Sequence, residues 1–375
     1  MRLLHTADWH LGRQLHGHSL LDDQAHALDQ IVAAAAELRP DAVIVAGDVY
    51  DRAVPPHEAV ELLDEVLARL VQDLRLPTLL IAGNHDSPAR LAFGARLLRG
   101  AGLAVVGQAG ASPPLVLEDA HGPLDIFGLA YAEPALVRAV LGQAVHDHDA
   151  ALRAQIAALG RDPGRRAVLV AHAFVAGGGE SESERPLTVG GSGMVGTDAF
   201  AGFAYTALGH LHAPQSFAGG RIRYSGSLLK YSLSEAAHAK SATLVEIDAA
   251  GVCRTEDIVL SPRRDVRILT GPMASLLQAP RSEDYVACVL EDTEALLDSF
   301  ARLRELFPNL LTVERPFYAA GTAVQGAGAE ALRREVPDLF ADFFEQSVGQ
   351  ALSAEEAAMF AEIHDAWQKA QRESG

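Results

Sequence analysis

The sequence predicts an α/β (α+β) chain: a two-layered β core flanked by helices, then a small α+β unit, then a helical tail. Three observations predict it. Strand-like and helix-like segments alternate over the first half of the chain, which implies right-handed crossovers and a largely parallel sheet. The strand-like segments are continuous apolar runs, as in sheets covered on both faces. The pattern restarts at Arg263 and again beyond a glycine-rich stretch.

In order, "RLLHTA" reads as a strand and Leu20 to Leu38 as a helix closed by Pro40. "DAVIVAG" is a buried strand; "PPHEAVELLDEVLARLVQDL" is a helix with prolines at its start. "LPTLLIAG" is a strand, and "PARLAFGARLLRGAG" a helix ending in glycine. Shorter strands follow in "LAVVG", "PPLVLE" and "LDIFGLA", then a helix from about Glu133 to Leu159 and the strand "RAVLVAHAF". The polar, glycine-rich segment from Ala176 to Gly193 is too long for a plain connection, and is expected to serve substrate or dimer contacts. "FAYTALGHLH", "QSFAG", "IRYSG" and "SATLVEID" complete the core near Leu260.

These elements divide the chain into residues 1–262, 263–320 and 321–375. The middle unit holds "DVRILTG", "DYVACVLED", "TEALLDSFARLRELF" and "NLLTVERPF". "AAGTAVQGAGAE" reads as a linker. Two tail helices carry apolar stripes: Leu332, Val336, Leu339, Phe340, Phe343 and Phe344 on one, and Ala357, Met359, Phe360, Ile363 and Trp367 on the other. Such stripes suit docking on a partner helix, or else packing of the two helices on each other or on the main body.

Composition narrows the class. A 49% hydrophobic and 21% charged chain of 375 residues is that of a soluble globular protein. His5 and Asp8 interrupt any signal-peptide run, and no apolar stretch reaches about 18 residues, so no membrane span is expected. Cys253 and Cys288 are expected as small buried hydrophobes in a reducing cytoplasm. A net charge of −18 argues against coating nucleic acid by charge. A polyanionic substrate would need a strong local positive centre.

Five short motifs each follow a strand-like run: Asp8-Trp9-His10, "GDVYDR" from Gly47, "GNHD" from Gly83, "AHAF" with His172, and "GHLH" with His210 and His212. Residues just past the carboxyl ends of neighbouring strands meet in one crevice. The set offers carboxylates, imidazoles and a carboxamide but no thiolate, which suits Mn²⁺, Fe²⁺ or Zn²⁺ more than Ca²⁺ or Mg²⁺. The ligands are too many for one ion and about enough for two. A metal pair can activate a water and stabilise both oxygens of an in-line displacement at phosphorus. Gly47, Gly83 and Gly209 are expected to make tight turns that face the ligands inward, and Asp86 to cap the helix at Pro88. Arg13 and Arg90, with Arg221, Arg223 and Lys230, are candidates for phosphate contacts. His5 is expected as an ordinary core or surface residue.

The five motifs resemble those of the calcineurin-like metallophosphoesterase superfamily. More closely, "LHTADWHLG", "ESERPLTVGGSG", "ALGHLHAPQ" and "YSGSLLKYSLSEAAHAKS" resemble the SbcD family of bacterial nuclease subunits, which work with the ATPase SbcC. The resemblance implies two divalent metals, most readily Mn²⁺: one on Asp8, His10, Asp48 and His212, the other on Asn84, His172 and His210, with Asp48 as the bridge. It implies that His85 assists the leaving group, that Asp51 orients His85, and that Arg52 contacts phosphate. It implies a double-strand exonuclease and single-strand or hairpin endonuclease for DNA ends. The subunit would be a homodimer within a heterotetramer, its dimer built by helices near the first motifs. The unit after Arg263 would cap the site and select the DNA form, and the tail would bind the SbcC coiled coil. A stand-alone phosphatase or cyclic-nucleotide phosphodiesterase, and a scaffold that holds DNA ends without cutting, are the alternatives.

Overall fold

The computed structural model describes residues 1–184, 187, 193–294, 296–315 and 336–373. The expected linker, Leu332, the Trp367 side chain and most of the stretch between Glu184 and Gly193 lie outside these described residues. The chain divides into two compact units, Met1–Val266 and Arg267–Gly375.

The first unit is built on two six-stranded sheets. In the first, β1 (Arg2–Thr6), β2 (Ala42–Val45), β3 (Thr78–Ile81) and β4 (Leu103–Val106) run parallel. The second contains β5 (Leu115–Asp119), β6 (Gly122–Leu129), β7 (Arg166–His172), β8 (Tyr205–Gly209), β9 (Gln215–Phe217) and β10 (Ile222–Tyr224) in the order β9-β10-β8-β7-β6-β5. There β6, β7, β8 and β10 are mutually parallel and the two edge strands antiparallel. The last two strands, β11 (Ser241–Ile247) and β12 (Cys253–Val259), return to the first sheet beside β1 in antiparallel register. One core binds the layers: Leu3, Ile44, Leu79 and Ile81 from one sheet meet Ile126, Val168, Val170 and Tyr205 from the other. Continuous apolar strands are what two covered faces require. His5 is a satisfied core residue, its ring nitrogens 2.9 Å from Tyr205 Oη and 3.2 Å from the Leu208 carbonyl oxygen.

Helix α1 (Leu21–Leu38) buries Ala27, Leu28, Ile31 and Ala35, the spacing of one helical face. Its fully buried Gln24 also shapes the first motif. The Gln24 amide donates to the carbonyl oxygens of Trp9 at 3.1 Å and His10 at 2.7 Å, and its oxygen accepts Gly12 N at 3.0 Å. Asp23 beside it takes a two-pronged ion pair from Arg264, which pins the end of the first unit.

Three expected helices are interrupted. The segment from His57 is α-helical to Ala68 (α2) and then widens into a π turn over Arg69–Asp73. "PARLAFGARLLRGAG" breaks into α3 (Pro88–Leu91) and α4 (Ala95–Leu98), because Gly94 takes a left-handed φ of 73° between them. The stretch after Glu133 is α5 (Pro134–Leu141), stopped by left-handed Gly142, and then α6 (His148–Ala158), where Asp147 caps Ala150 N at 2.8 Å.

In the second unit, β13 (Val266–Gly271), β14 (Tyr285–Leu290) and β15 (Leu310–Glu314) form a three-stranded sheet. A short helix α7 (Met273–Leu276) and α8 (Ser299–Leu306) accompany it. Val286, Cys288, Leu303, Phe307 and Leu310 form its core. The tail holds α9 (Val336–Val348) and α10 (Ala354–Glu373), joined by a Phe340–Phe360 ring stack at 3.7 Å. Phe343, Met359 and Ile363 stay exposed on them. Both cysteines are free, Cys288 buried and Cys253 half-buried. No helix among the described residues is long and apolar enough to cross a membrane.

Replacing Gln24 by Leu keeps its bulk but strands the buried Gly12 N and removes one of the two hydrogen bonds at each of the Trp9 and His10 carbonyl oxygens. Urea unfolding is expected to show a loss of about 3 kcal/mol, with the m-value unchanged.

Candidate metal centre

The five motifs converge because their strands end on one edge. Asp8 and His10 follow β1, Asp48 follows β2, Asn84 and His85 follow β3, His172 ends β7, and His210 and His212 follow β8. The loops then clasp one another. Asp8 N donates to the Gly47 carbonyl oxygen at 3.0 Å and His10 N to that of Asp48 at 2.9 Å. His210 N donates to Asp8 Oδ1, and His85 N to Asp48 Oδ1, each at 2.9 Å.

Inward aim comes from strained backbone. Asp8, His10, Asp48 and His210 have φ of 52°, 45°, 48° and 111°, values that side-chain-bearing residues rarely adopt. Gly47, with φ 92°, makes the turn expected of it. Gly83 and Gly209 do not act by turning. They are needed for close approach: a Cβ on Gly83 would sit 2.1 Å from Asp48 Oδ1, and one on Gly209 2.0 Å from the Ala46 carbonyl oxygen.

The chemistry of the donor atoms tests whether a metal pair fits. His172 Nδ1 faces the Ala46 carbonyl oxygen at 3.0 Å, an acceptor, so that nitrogen carries the ring proton. Its Nε2 lone pair then faces Asn84 Oδ1, another acceptor, at 2.8 Å. His212 repeats the pattern, with Nδ1 3.2 Å from Glu235 Oε1; His10 Nδ1 faces Asp51 Oδ1 at 3.6 Å, beyond a hydrogen bond, and the two Nε2 atoms oppose each other at 3.1 Å. Two acceptor pairs facing inward with no donor between them fit two cations. Asp8 Oδ2 and His210 Nε2, both buried, have no hydrogen-bond partner among the described residues.

Asp48 Oδ2 lies 3.6 Å from His10 Nε2 and 3.5 Å from His172 Nε2, reaching both halves as a bridge must. Burial pushes His10, His172 and His210 below the usual imidazole range, and His212 to about 3, so all four are neutral and ligand-ready. Burial and then the charge of Asp48 push the Asp8 carboxyl well above the carboxylate range. Against the cost of burial, neighbouring groups, the His85 amide among them, hold Asp48 below it. A nearby cation is what lets both stay ionised. Asp8, His10 and His212 form one cluster able to hold an ion; Asp8, Asp48 and His172 form a second, and His10, Asp51 and His85 a third.

Around this centre the structure corrects two expectations. Asp51 meets His85 through its backbone carbonyl oxygen, 2.8 Å from His85 Nδ1, and not through its carboxylate. Its carboxylate instead faces His10 Nδ1 at 3.6 Å and Arg13 Nη1 at 3.2 Å. Asp86 is no helix cap. Its carboxylate accepts Val49 N, Tyr50 N and Gly83 N, tying the second motif to the third, and burial followed by the Asp48 charge pushes it up to about 7. The arginines differ in freedom. Arg13 is engaged with Asp51 and with the Ser183 carbonyl oxygen, and Arg90 donates to the Ala53 carbonyl oxygen at 2.9 Å. Arg52 is exposed.

Sequence reasoning missed Ser183, Glu184, Glu235 and Lys240, all buried behind His212. Their only signal was that carboxylates in "SESE" and "SLSEAAHAK" flank motif-like strings.

A family model described as calcineurin-like phosphoesterase matches residues 1–142, and one described as type 5 capsule protein repressor C-terminal domain matches residues 262–348. The SbcD subunit of nuclease SbcCD from Staphylococcus saprophyticus is 30% identical over 371 residues, covering 97% of both chains. Among solved structures, TT1561 of Thermus thermophilus aligns with 68% of this chain and 98% of its own at 14% identity and TM-score 0.38. A dimetal phosphatase from Danio rerio aligns with 70% of this chain and 99% of its own at 12% identity and TM-score 0.36. Layered sheets with a two-ion ligand set at their edge define a phosphodiester hydrolase of the calcineurin-like superfamily. Within that superfamily, the chain belongs to the SbcD family.

Gly83→Ala pushes a methyl into Asp48. Calorimetric titration with Mn²⁺ is expected to show affinity weakened by more than about tenfold, in a protein whose circular dichroism still reports the native fold.

Proposed function

We propose that this chain is the Mn²⁺-dependent DNA nuclease subunit of an SbcC–SbcD assembly, cutting double-stranded ends as an exonuclease and single strands or hairpins as an endonuclease. The observation that carries the reading is the facing pair of acceptor clusters joined at Asp48 Oδ2, in a chain similar to a nuclease subunit along nearly its whole length. The seven ligands are Asp8, His10, Asp48, Asn84, His172, His210 and His212. Oxygen and imidazole donors without thiolate favour Mn²⁺ and its first-row neighbours. The bound cations supply positive charge to the phosphoryl oxygens and acidify a water for attack.

This chain's own groups do the rest. His85 has Nδ1 fixed by the Asp51 carbonyl oxygen, which leaves Nε2 free to serve the departing sugar oxygen. Its side chain is 14% exposed where that of His172 is fully buried, so it is the imidazole a substrate can reach. Arg52, exposed and next to Asp51, contacts the phosphate backbone, with Arg13 and Arg90 contributing only what their internal bonds leave free. The small α+β unit from Arg263 selects the DNA form. The tail's exposed Phe343, Met359 and Ile363 are the surface for the SbcC coiled coil. Phe93 and Leu97, 85% and 84% exposed just past the third motif, form the homodimer contact.

Two measurements test the reading. His85→Gln is expected to lower the rate of linear duplex cleavage by about 10²–10⁴-fold while Mn²⁺ and DNA binding persist; cleavage at the native rate would remove His85 from the chemistry. Phe93→Asp with Leu97→Asp is expected to turn a dimer into a monomer in analytical ultracentrifugation, with Mn²⁺ binding intact.

A further inference from the structure

A cluster outside the ligand set holds His212 from behind. Ser183 Oγ lies 2.6 Å from His212 Nδ1 and donates its proton to Glu235 Oε1, which is itself 3.2 Å from the same ring nitrogen. Lys240 Nζ donates to Glu235 Oε2 at 2.5 Å and to the His212 carbonyl oxygen at 2.9 Å. Glu184 Oε1 accepts His212 N at 2.5 Å. Every polar atom of His212 except Nε2 is thereby fixed. Because the Ser183 hydroxyl spends its proton on Glu235, it accepts from His212, so Nδ1 carries the ring proton and Nε2 keeps its lone pair.

The same turn is braced from the other side. Arg13 Nη2 donates to the Ser183 carbonyl oxygen at 3.0 Å while Nη1 holds Asp51, the residue that faces His10. Glu235 is fully buried and Lys240 nearly so. A buried ion pair gives a fold little net stability, and here it terminates on a ligand histidine and on the turn against it.

We propose that Ser183, Glu235 and Lys240 are positioning residues for His212, and that the Ser181–Glu184 turn ties its loop to the metal centre. The inference rests on reading His212 as a metal ligand. A carboxylate relayed through a hydroxyl sets the tautomer and direction of the imidazole, and losing such a partner typically weakens metal binding about 10–100-fold.

The test uses the full chain and Mn²⁺ alone. In calorimetric titration, Ser183→Ala and Glu235→Gln are expected to weaken one of the two ions by about 10–100-fold and leave the other as in the native protein; Ser183→Thr restores the affinity. Ring ¹⁵N NMR of the metal-free protein is expected to show His212 protonated on Nδ1, and a mixture of tautomers only when Ser183→Ala is combined with Glu235→Ala, which removes both acceptors of that proton. Ser183→Ala removes one hydroxyl and keeps the Glu235–Lys240 pair, so it reports even where Glu235→Gln unfolds. If His212→Ala loses an ion while Ser183→Ala binds both as tightly as the native chain, the positioning role is wrong and the ligand stands. If His212→Ala keeps both ions at native affinity, the ligand reading falls and this one with it.

Discussion

The structure depends on keeping acceptor atoms apart from donors at one point beneath its surface. Asp8, Asp48, Asn84 and four imidazoles bring lone pairs to a common centre, and each imidazole whose Nδ1 partner is identified spends its only proton facing away. In water such a set would repel; buried, it is tolerable only with positive charge inside it. Much of the surrounding architecture serves this arrangement. Backbone amides of His210 and His85 hold one oxygen of each aspartate, leaving the other oxygen to the centre.

That arrangement has a backbone cost. Four of the converging residues sit at positive φ, at of order 1–3 kcal/mol each. Parallel strands alone would leave side chains alternating above and below the sheet; left-handed residues just past the strand ends turn several toward one spot. The strain is held by groups the ligands do not include: Gln24 on the first motif, and Asp86 between the second and third. Their bonds are to main chain, so they fix where a loop passes, and the ligand side chains follow.

The convergence of these side chains was legible in the sequence because metal chemistry restricts residue type and sheet topology restricts position. A histidine at or just past the end of an apolar strand has few alternatives once four others share the pattern. Supports were not legible, since a carboxylate accepting main-chain amides has no spacing of its own. Asp86, in "HDSP", looks like a helix cap and is instead a clasp between loops. Asp51 acts on His85 through a carbonyl group that any residue would supply. Ser183, Glu235 and Lys240 meet only because the turn after β7 folds back over the segment after β10. The helix breaks at Gly94 and Gly142 were visible as glycines, but apolar periodicity outvoted them.

Charge resolves in the same way. A protein of net charge −18 is a poor partner for a polyanion, and a basic face would be the ordinary remedy. Here the burial that makes the ligand cluster costly also sharpens its field once cations are held, because screening water is excluded. Two divalent ions would set four positive charges against the two carboxylates of Asp8 and Asp48. A scissile phosphate would then be drawn to one small region while the acidic remainder of the surface repels the rest of a duplex. Attraction concentrated at one buried point, in place of net positive charge, is how an acidic chain of this superfamily can meet a phosphodiester.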